Sequence, residues 1–192
     1  MSIKKGFIFL FLGVLCIVWG YRIYDINKRF PSPKEHGVQA GETFIYQGLE
    51  ITAIGNKEVY TLEEIENIYR LGDVLPTGSL ESIKSSKCLY YVCTDIEIFN
   101  PSSEEVSFEK GYDPMYWPYE MSASFNGMAY EPYMGFNYEF REVLKPKEVQ
   151  SLKLVYQIID STKSREDILS ETVRIIYSLY PEKEYIELGG VD

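Results

Sequence analysis

Residues 111–140, GYDPMYWPYEMSASFNGMAYEPYMGFNYEF, hold ten of the chain's 29 aromatic residues, four of its five methionines and four acids, with no lysine or arginine. The chemistry this composition suits is recognition. Tyr112, Tyr116, Trp117 and Tyr119 crowd into a loop broken by Pro114 and Pro118, where they are hard to bury together, and they are the candidate binding residues. Tyrosine and tryptophan offer large, rigid contact area with a polar edge. Methionine adds a surface that repacks. Asp113, Glu120, Glu131 and Glu139 favour a basic protein segment as the partner. Tyr116, Trp117 and Tyr119 would serve equally as stacking platforms for a sugar. Phe125, Phe136 and Phe140 sit in strand-like positions and are expected in the core.

Bond-making chemistry finds little support. A serine or cysteine hydrolase needs a base beside its nucleophile. The only histidine, His36, lies in a stretch that reads as a solvated linker. No H-E-x-x-H, paired C-x-x-C, P-loop or G-x-G-x-x-G occurs. A zinc site would lack thiolate and imidazole ligands, and no carboxylate spacing matches an EF-hand. Glu63-Glu64 and Glu104-Glu105 read as solvated charges. The expectation is therefore a protein that is not an enzyme, with no cofactor and no metal. Cys88 and Cys93, five residues apart in a strand-like run, would lie about 16 Å apart. A disulfide needs Cα atoms within about 7 Å, so no bridge is expected between them.

The elements that must position the aromatic stretch begin with a membrane segment. Residues 6–21, GFIFLFLGVLCIVWGY, carry no charge, follow Lys4 and Lys5, and end in Trp19 and Tyr21. Basic flank, apolar centre and interfacial aromatics fit a signal anchor spanning residues 1–24, a transmembrane helix. A signal peptide cut after Gly20 is the alternative. A lipid anchor on Cys16 is disfavoured, because Leu15 stands where a small residue is needed. The charge pattern opposes outward orientation, since Arg22, Lys28, Arg29 and Lys34 lie beyond the run. The short basic tail before it has the layout of an export signal, and an extracytoplasmic body is the expectation. The chain carries a net charge of −10, nearer −13 without Lys4, Lys5 and Arg22. Such a charge disfavours nucleic acid and anionic headgroups.

Residues 25–41, with Pro31, Pro33, Gly37 and Gly41 among charges, read as a tether. Residues 42–192 form one domain, and their pattern is β. Strands are expected over 42–47, 48–54 with 57–60 as an extension past Gly55-Asn56, 87–100, 105–108, 149–159, 172–180 and 184–188. The Thr61–Glu64 capping box opens a short helix over 62–70. Residues 71–86 read as loop. In the strand at 87–100, Tyr90, Val92, Thr94, Ile96 and Ile98 would face the core. Tyr91, Cys93, Asp95, Glu97 and Phe99 would face solvent. Asn126-Gly127 predicts the turn of a hairpin, with residues 136–140 pairing next. About eight short strands with one helix argue a β-sandwich.

The apolar run, the strand 90–98 leading into Asn100-Pro-Ser-Ser, and Leu144-Lys-Pro-Lys-Glu148 ahead of the strand 152–158 carry a resemblance. Together they resemble anchored proteins of unknown function from Gram-positive bacteria whose outer domain is an immunoglobulin-like, telokin-like sandwich. Lys147 stands where that family usually has glycine. The resemblance implies a fold and a surface location, no activity and no catalytic residue. The expected function is that of a membrane-anchored, extracytoplasmic binding domain for a surface or membrane protein. A carbohydrate-binding module for cell-wall polymer and a structural accessory subunit of a membrane complex are the alternatives.

Overall fold

A computed structural model describes residues 3–29, 33–69, 90–122, 124–159 and 162–189. The expected loop at 71–86, and Cys88 with it, lies outside the described residues. The chain divides into two units, residues 1–34 and residues 35–192.

The first unit contains one helix, α1 (Ile3–Arg29). It continues past the expected end of the anchor at residue 24, and Asp25 pairs with Arg29 one turn on, at 2.9 Å. The expected transmembrane helix is not supported: among the described residues no helix is long and apolar enough to cross a membrane.

The second unit is mainly β, with two sheets packed face to face and a few short helices. The best strand of the sequence becomes β4 (Tyr90–Phe99). It lies between β3 (Leu49–Tyr60) and β9 (Val149–Ile158), and β2 (Thr43–Tyr46) completes this sheet in the order β2-β3-β4-β9. The β4–β9 register runs unbroken from Tyr90↔Ile158 to Phe99↔Val149. Gly55, with φ of 75°, marks the irregularity in β3, where the β4 register shifts between Ile54 and Glu58. The opposing sheet has the order β1-β11-β10-β6-β7, from β1 (Lys34–Gln39), β6 (Tyr119–Met121), β7 (Ser124–Asn126), β10 (Val173–Ser178) and β11 (Glu182–Leu188). A two-stranded ladder joins β5 (Val106–Ser107) to β8 (Val143–Leu144). The main core lies between the large sheets. Phe44 stacks on Tyr177 at 4.3 Å between ring centroids, and Tyr119 on Tyr156 at 5.0 Å.

The outer face of β4 departs from expectation. Tyr91 and Cys93 are buried in a second cluster with Ile65, Ala129 and Val155. Helices α2 (Leu62–Tyr69) and α3 (Tyr130–Phe136) supply Ile65 and Phe136 to it. Only the distal half of the face, at Glu97, is open. Burial pushes the Cys93 thiol up to about 12, despite the opposing Lys153 ammonium. The α2 capping box forms as expected: Thr61 N–H donates to Glu64 Oε2 at 2.8 Å, and Glu64 N–H to Thr61 Oγ1 at 3.3 Å.

Three further expectations are corrected. The tether at 25–41 is helical to Arg29 and forms β1 from Lys34. β1 is held by contacts no local pattern reveals. Glu35 lies 3.6 Å from Lys183, His36 lies 3.4 Å from Glu182, and Ala40 N–H donates to the Glu187 carbonyl. A Cβ at Gly37 would meet Tyr185 Cε2 at 2.5 Å, so only glycine permits this approach. The hairpin turns between Met121 and Ser124, not at Asn126-Gly127, with Ser122 at φ 49°. Met121 and Tyr119 are committed to the core beside Val173 and Ile175, and that burial fixes the register. Residues 136–140 form no strand, because α3 occupies Tyr130–Phe136. Its Pro132 falls in the first turn, where no backbone donor is needed.

Beside the sandwich, Asn100 is fully buried and ties two turns together. Its Nδ2 donates to the carbonyls of Glu104, Leu144 and Lys145 at 2.8–3.0 Å. Its Oδ1 accepts from Ser102 N–H and Ser102 Oγ. Lys147 takes φ 60° at the turn into β9, the left-handed conformation that favours glycine.

Candidate functional site

The aromatic stretch is assembled from a 3₁₀ turn at Pro114–Tyr116. Asp113 caps it, its side chain accepting from Met115 N–H at 3.1 Å, and Pro114 supplies a first position that needs no donor. Burial raises the Asp113 carboxyl above its ordinary range, more than the Met115 N–H lowers it. The turn throws its four candidate rings to different places. Tyr112 and Tyr116 are exposed, at 56% and 58%. Trp117 is buried at 3%, and Tyr119 is wholly buried in the core. Tyr119 is therefore a core residue that lines no surface. The other three line one cleft.

This cleft has a volume of about 590 Å³, within the range of about 300–1,000 Å³ usual for ligand sites. Its floor is a packed set of rings. Trp117 stands edge-on to Tyr46 at 5.5 Å and 86°, and Tyr177 meets Tyr46 at 5.5 Å and 72°. Tyr112 and Tyr116 form one wall; Leu179 and Tyr180, in the turn between β10 and β11, form the other. Leu179 is 54% exposed here. Glu109 and Glu184 add a carboxylate to each side, and no lysine or arginine is among the described residues lining the cleft. Gln47, at φ 53° in the turn between β2 and β3, fixes one edge by accepting the Glu109 N–H at 2.8 Å.

The floor holds a poorly satisfied group. The Trp117 indole Nε1 is buried without a well-aligned hydrogen bond, and its near acceptor is the Tyr46 hydroxyl. Burial raises the Tyr46 phenol, and the neighbouring Trp117 and Gln47 side chains partly offset this. Burial and the Glu184 charge push the Tyr177 phenol up to about 12. An unmet buried donor costs about 1–3 kcal/mol.

Two other places were weighed. A depression of about 720 Å³ between residues 136–141 and 148–151 is larger, but its Arg141 already pairs with Glu148 at 3.8 Å. The hairpin turn brings Ser122, Lys163 and Glu171 together. Lys163 Nζ donates to Ser122 Oγ at 3.1 Å, and Ser122 Oγ donates to Glu171 Oε2 at 2.6 Å. Burial alone would raise the Glu171 carboxyl, but bonds from Lys163 and Ser122 hold it low. An ammonium that donates to the hydroxyl does not take its proton, so the trio pins the hairpin. Among the described residues no group of three or more His, Cys, Asp or Glu side chains could hold a metal ion.

Sequence reasoning found Tyr112, Tyr116 and Trp117 but missed Tyr46, Tyr177, Tyr180, Glu109 and Glu184. These come from three other chain segments and share no local motif.

The chain matches no known protein family and no curated protein. Among solved structures, it is similar to an uncharacterized beta-sandwich protein from Clostridium difficile 630, at 18% identity and a TM-score of 0.45, over 81% of this chain and 95% of that one. It is also similar to a conserved hypothetical protein from Bacillus anthracis, at 14% identity and a TM-score of 0.41, over 77% and 93% of the two chains. A functionally unknown protein from Listeria monocytogenes EGD-e is similar at 10% identity and a TM-score of 0.46, over 77% and 80%. Likeness at this level carries no argument about activity.

Proposed function

We propose that this chain is a membrane-attached, extracytoplasmic β-sandwich that acts as a non-catalytic binding domain for a surface or membrane protein, through the cleft between Tyr116 and Tyr180. The observation that carries this reading is the contrast inside the cleft: exposed tyrosines stand over a buried aromatic floor, with acids on both sides. Exposed aromatic clusters of this kind mark interaction surfaces. Membrane attachment rests on the uncharged run at 6–21 within α1. Sixteen helical residues extend about 24 Å, short of a hydrocarbon core of about 30 Å. The sandwich is read as immunoglobulin-like from its two facing sheets.

The test is site-specific photocrosslinking in cells, with the crosslinker at Tyr116 and, as control, at Ile45 on an exposed strand position. A discrete protein adduct from position 116 alone is expected. Equal adducts from both positions, or a glycan adduct from 116, would overturn the reading.

A further inference from the structure

The chemistry of the cleft also specifies its occupant. We infer that it takes an extended peptide segment carrying arginine or lysine side chains; this rests on the binding-domain reading above. Three observations lead there. First, the lining is electrically one-sided: Glu109 on the 109–118 segment and Glu184 on β11 face it, with no basic residue among the described lining. A neutral ligand leaves both carboxylates unused, and an acidic one is repelled.

Second, the exposed lining is tyrosine. Tyr112, Tyr116 and Tyr180 are each more than half exposed, and the faces of such rings attract guanidinium and ammonium groups. The chain uses the same contact internally, where the Arg174 guanidinium lies 4.5 Å from the Tyr185 ring centroid. A carboxylate on each wall suits a segment that presents more than one cation better than it suits a single ammonium.

Third, the floor meets its buried donor poorly. Trp117 Nε1 is closed from solvent and has only the Tyr46 hydroxyl close by, without a well-aligned bond. A shift of the Tyr46 ring on binding would admit a backbone carbonyl to it. A helix has its carbonyls engaged; an extended or polyproline segment has them free. The occupant is therefore extended, with side-chain cations outward to the walls and a carbonyl inward to the floor.

The experiment uses the full chain in detergent with Trp19→Phe, which leaves Trp117 as the only tryptophan of the two. Its emission is titrated with a twelve-residue alternating Arg-Pro peptide, the matching Glu-Pro peptide and an N-acetylglucosamine oligomer. Arg-Pro should bind and shift the emission, and Glu-Pro should not bind. Affinity should fall at least tenfold in Glu109→Gln/Glu184→Gln, and again in Tyr112→Ala/Tyr116→Ala. Glu50→Gln/Glu97→Gln, on the open face of the β3–β4 pair, should leave it within twofold.

Arg-Pro binding that responds equally to the cleft and remote acids would be adventitious attraction to a chain of net charge −10, and would overturn the inference. So would absence of binding, or binding of the sugar oligomer instead. If position 116 still crosslinks a protein while Arg-Pro fails, only the occupant's chemistry falls. If both fail, the binding-domain reading falls with it.

Discussion

The turn around Asn100 and the cleft around Trp117 each bury a polar side chain, and they treat it in opposite ways. Asn100 engages three carbonyls and accepts twice from Ser102. Trp117 packs its rings against Tyr46 and Tyr177, yet its one donor finds no well-aligned bond. A fully satisfied polar network costs nothing unpaired and specifies one geometry. A half-satisfied site is less stable alone and gains from whatever completes it. The first region holds one geometry; the second leaves a donor poorly used, which the binding proposed for the cleft would engage.

Replacing Asn100 with alanine strikes the finished region and should have the largest effect. It leaves the Glu104, Leu144 and Lys145 carbonyls buried without that donor, and a loss of about 3 kcal/mol is expected in urea unfolding. Trp117→Phe tests the unfinished one. It removes a group that has no well-aligned bond and leaves a modest void, so a loss of about 1–2 kcal/mol is expected from packing alone. A loss as large as that of Asn100→Ala would show that Nε1 is satisfied after all, and the contrast between the regions would collapse.

Asp113→Asn sharpens the comparison through pH. The folded-state pKa of Asp113 is raised, so the folded protein binds the proton more tightly than the unfolded chain. Its contribution to stability is present below the reference value of 3.8 and is lost as pH rises through the shifted value. Asparagine keeps the acceptor for Met115 N–H without the charge. The urea midpoint of the variant should exceed that of the parent at pH 7, and the gap should close by pH 3. Tyr112→Ala/Tyr116→Ala should move stability least, by about 0.5 kcal/mol or less per site, because both rings are exposed. The same pair is expected to abolish the Tyr116-side function, and that separation of binding from folding is what the contrast predicts.

Much of this was legible in the chain. The strands around Ile51, Ile96, Leu154 and Ile175 announce themselves by alternation, and Thr61–Glu64 announces a helix start. The β-sandwich that the strands and the resemblance led one to expect is present as two facing sheets. What alternation could not reveal depends on distant partners. Tyr91 and Cys93 look solvent-facing until α2 and α3 cover them. Asn126-Gly127 looks like a turn until Tyr119 and Met121 set the register by their burial. Tyr180 and Glu184 reach Tyr116 only because the β10–β11 turn meets the 3₁₀ segment, a juxtaposition that no window of sequence contains.

The strand β1 has a mechanical consequence. Its contacts with β11 advance in step, from Glu35 and His36 beside Lys183 and Glu182 to Ala40 beside Glu187. The second unit begins within an edge strand, one residue after its start. Force along the β1 axis loads the β1–β11 contacts together, in shear, whereas force across that axis peels them one by one from Glu35. The Gly37–Tyr185 approach sits in the middle of that seam. Along that axis the sandwich would resist pulling through six residues that the local sequence presents as slack.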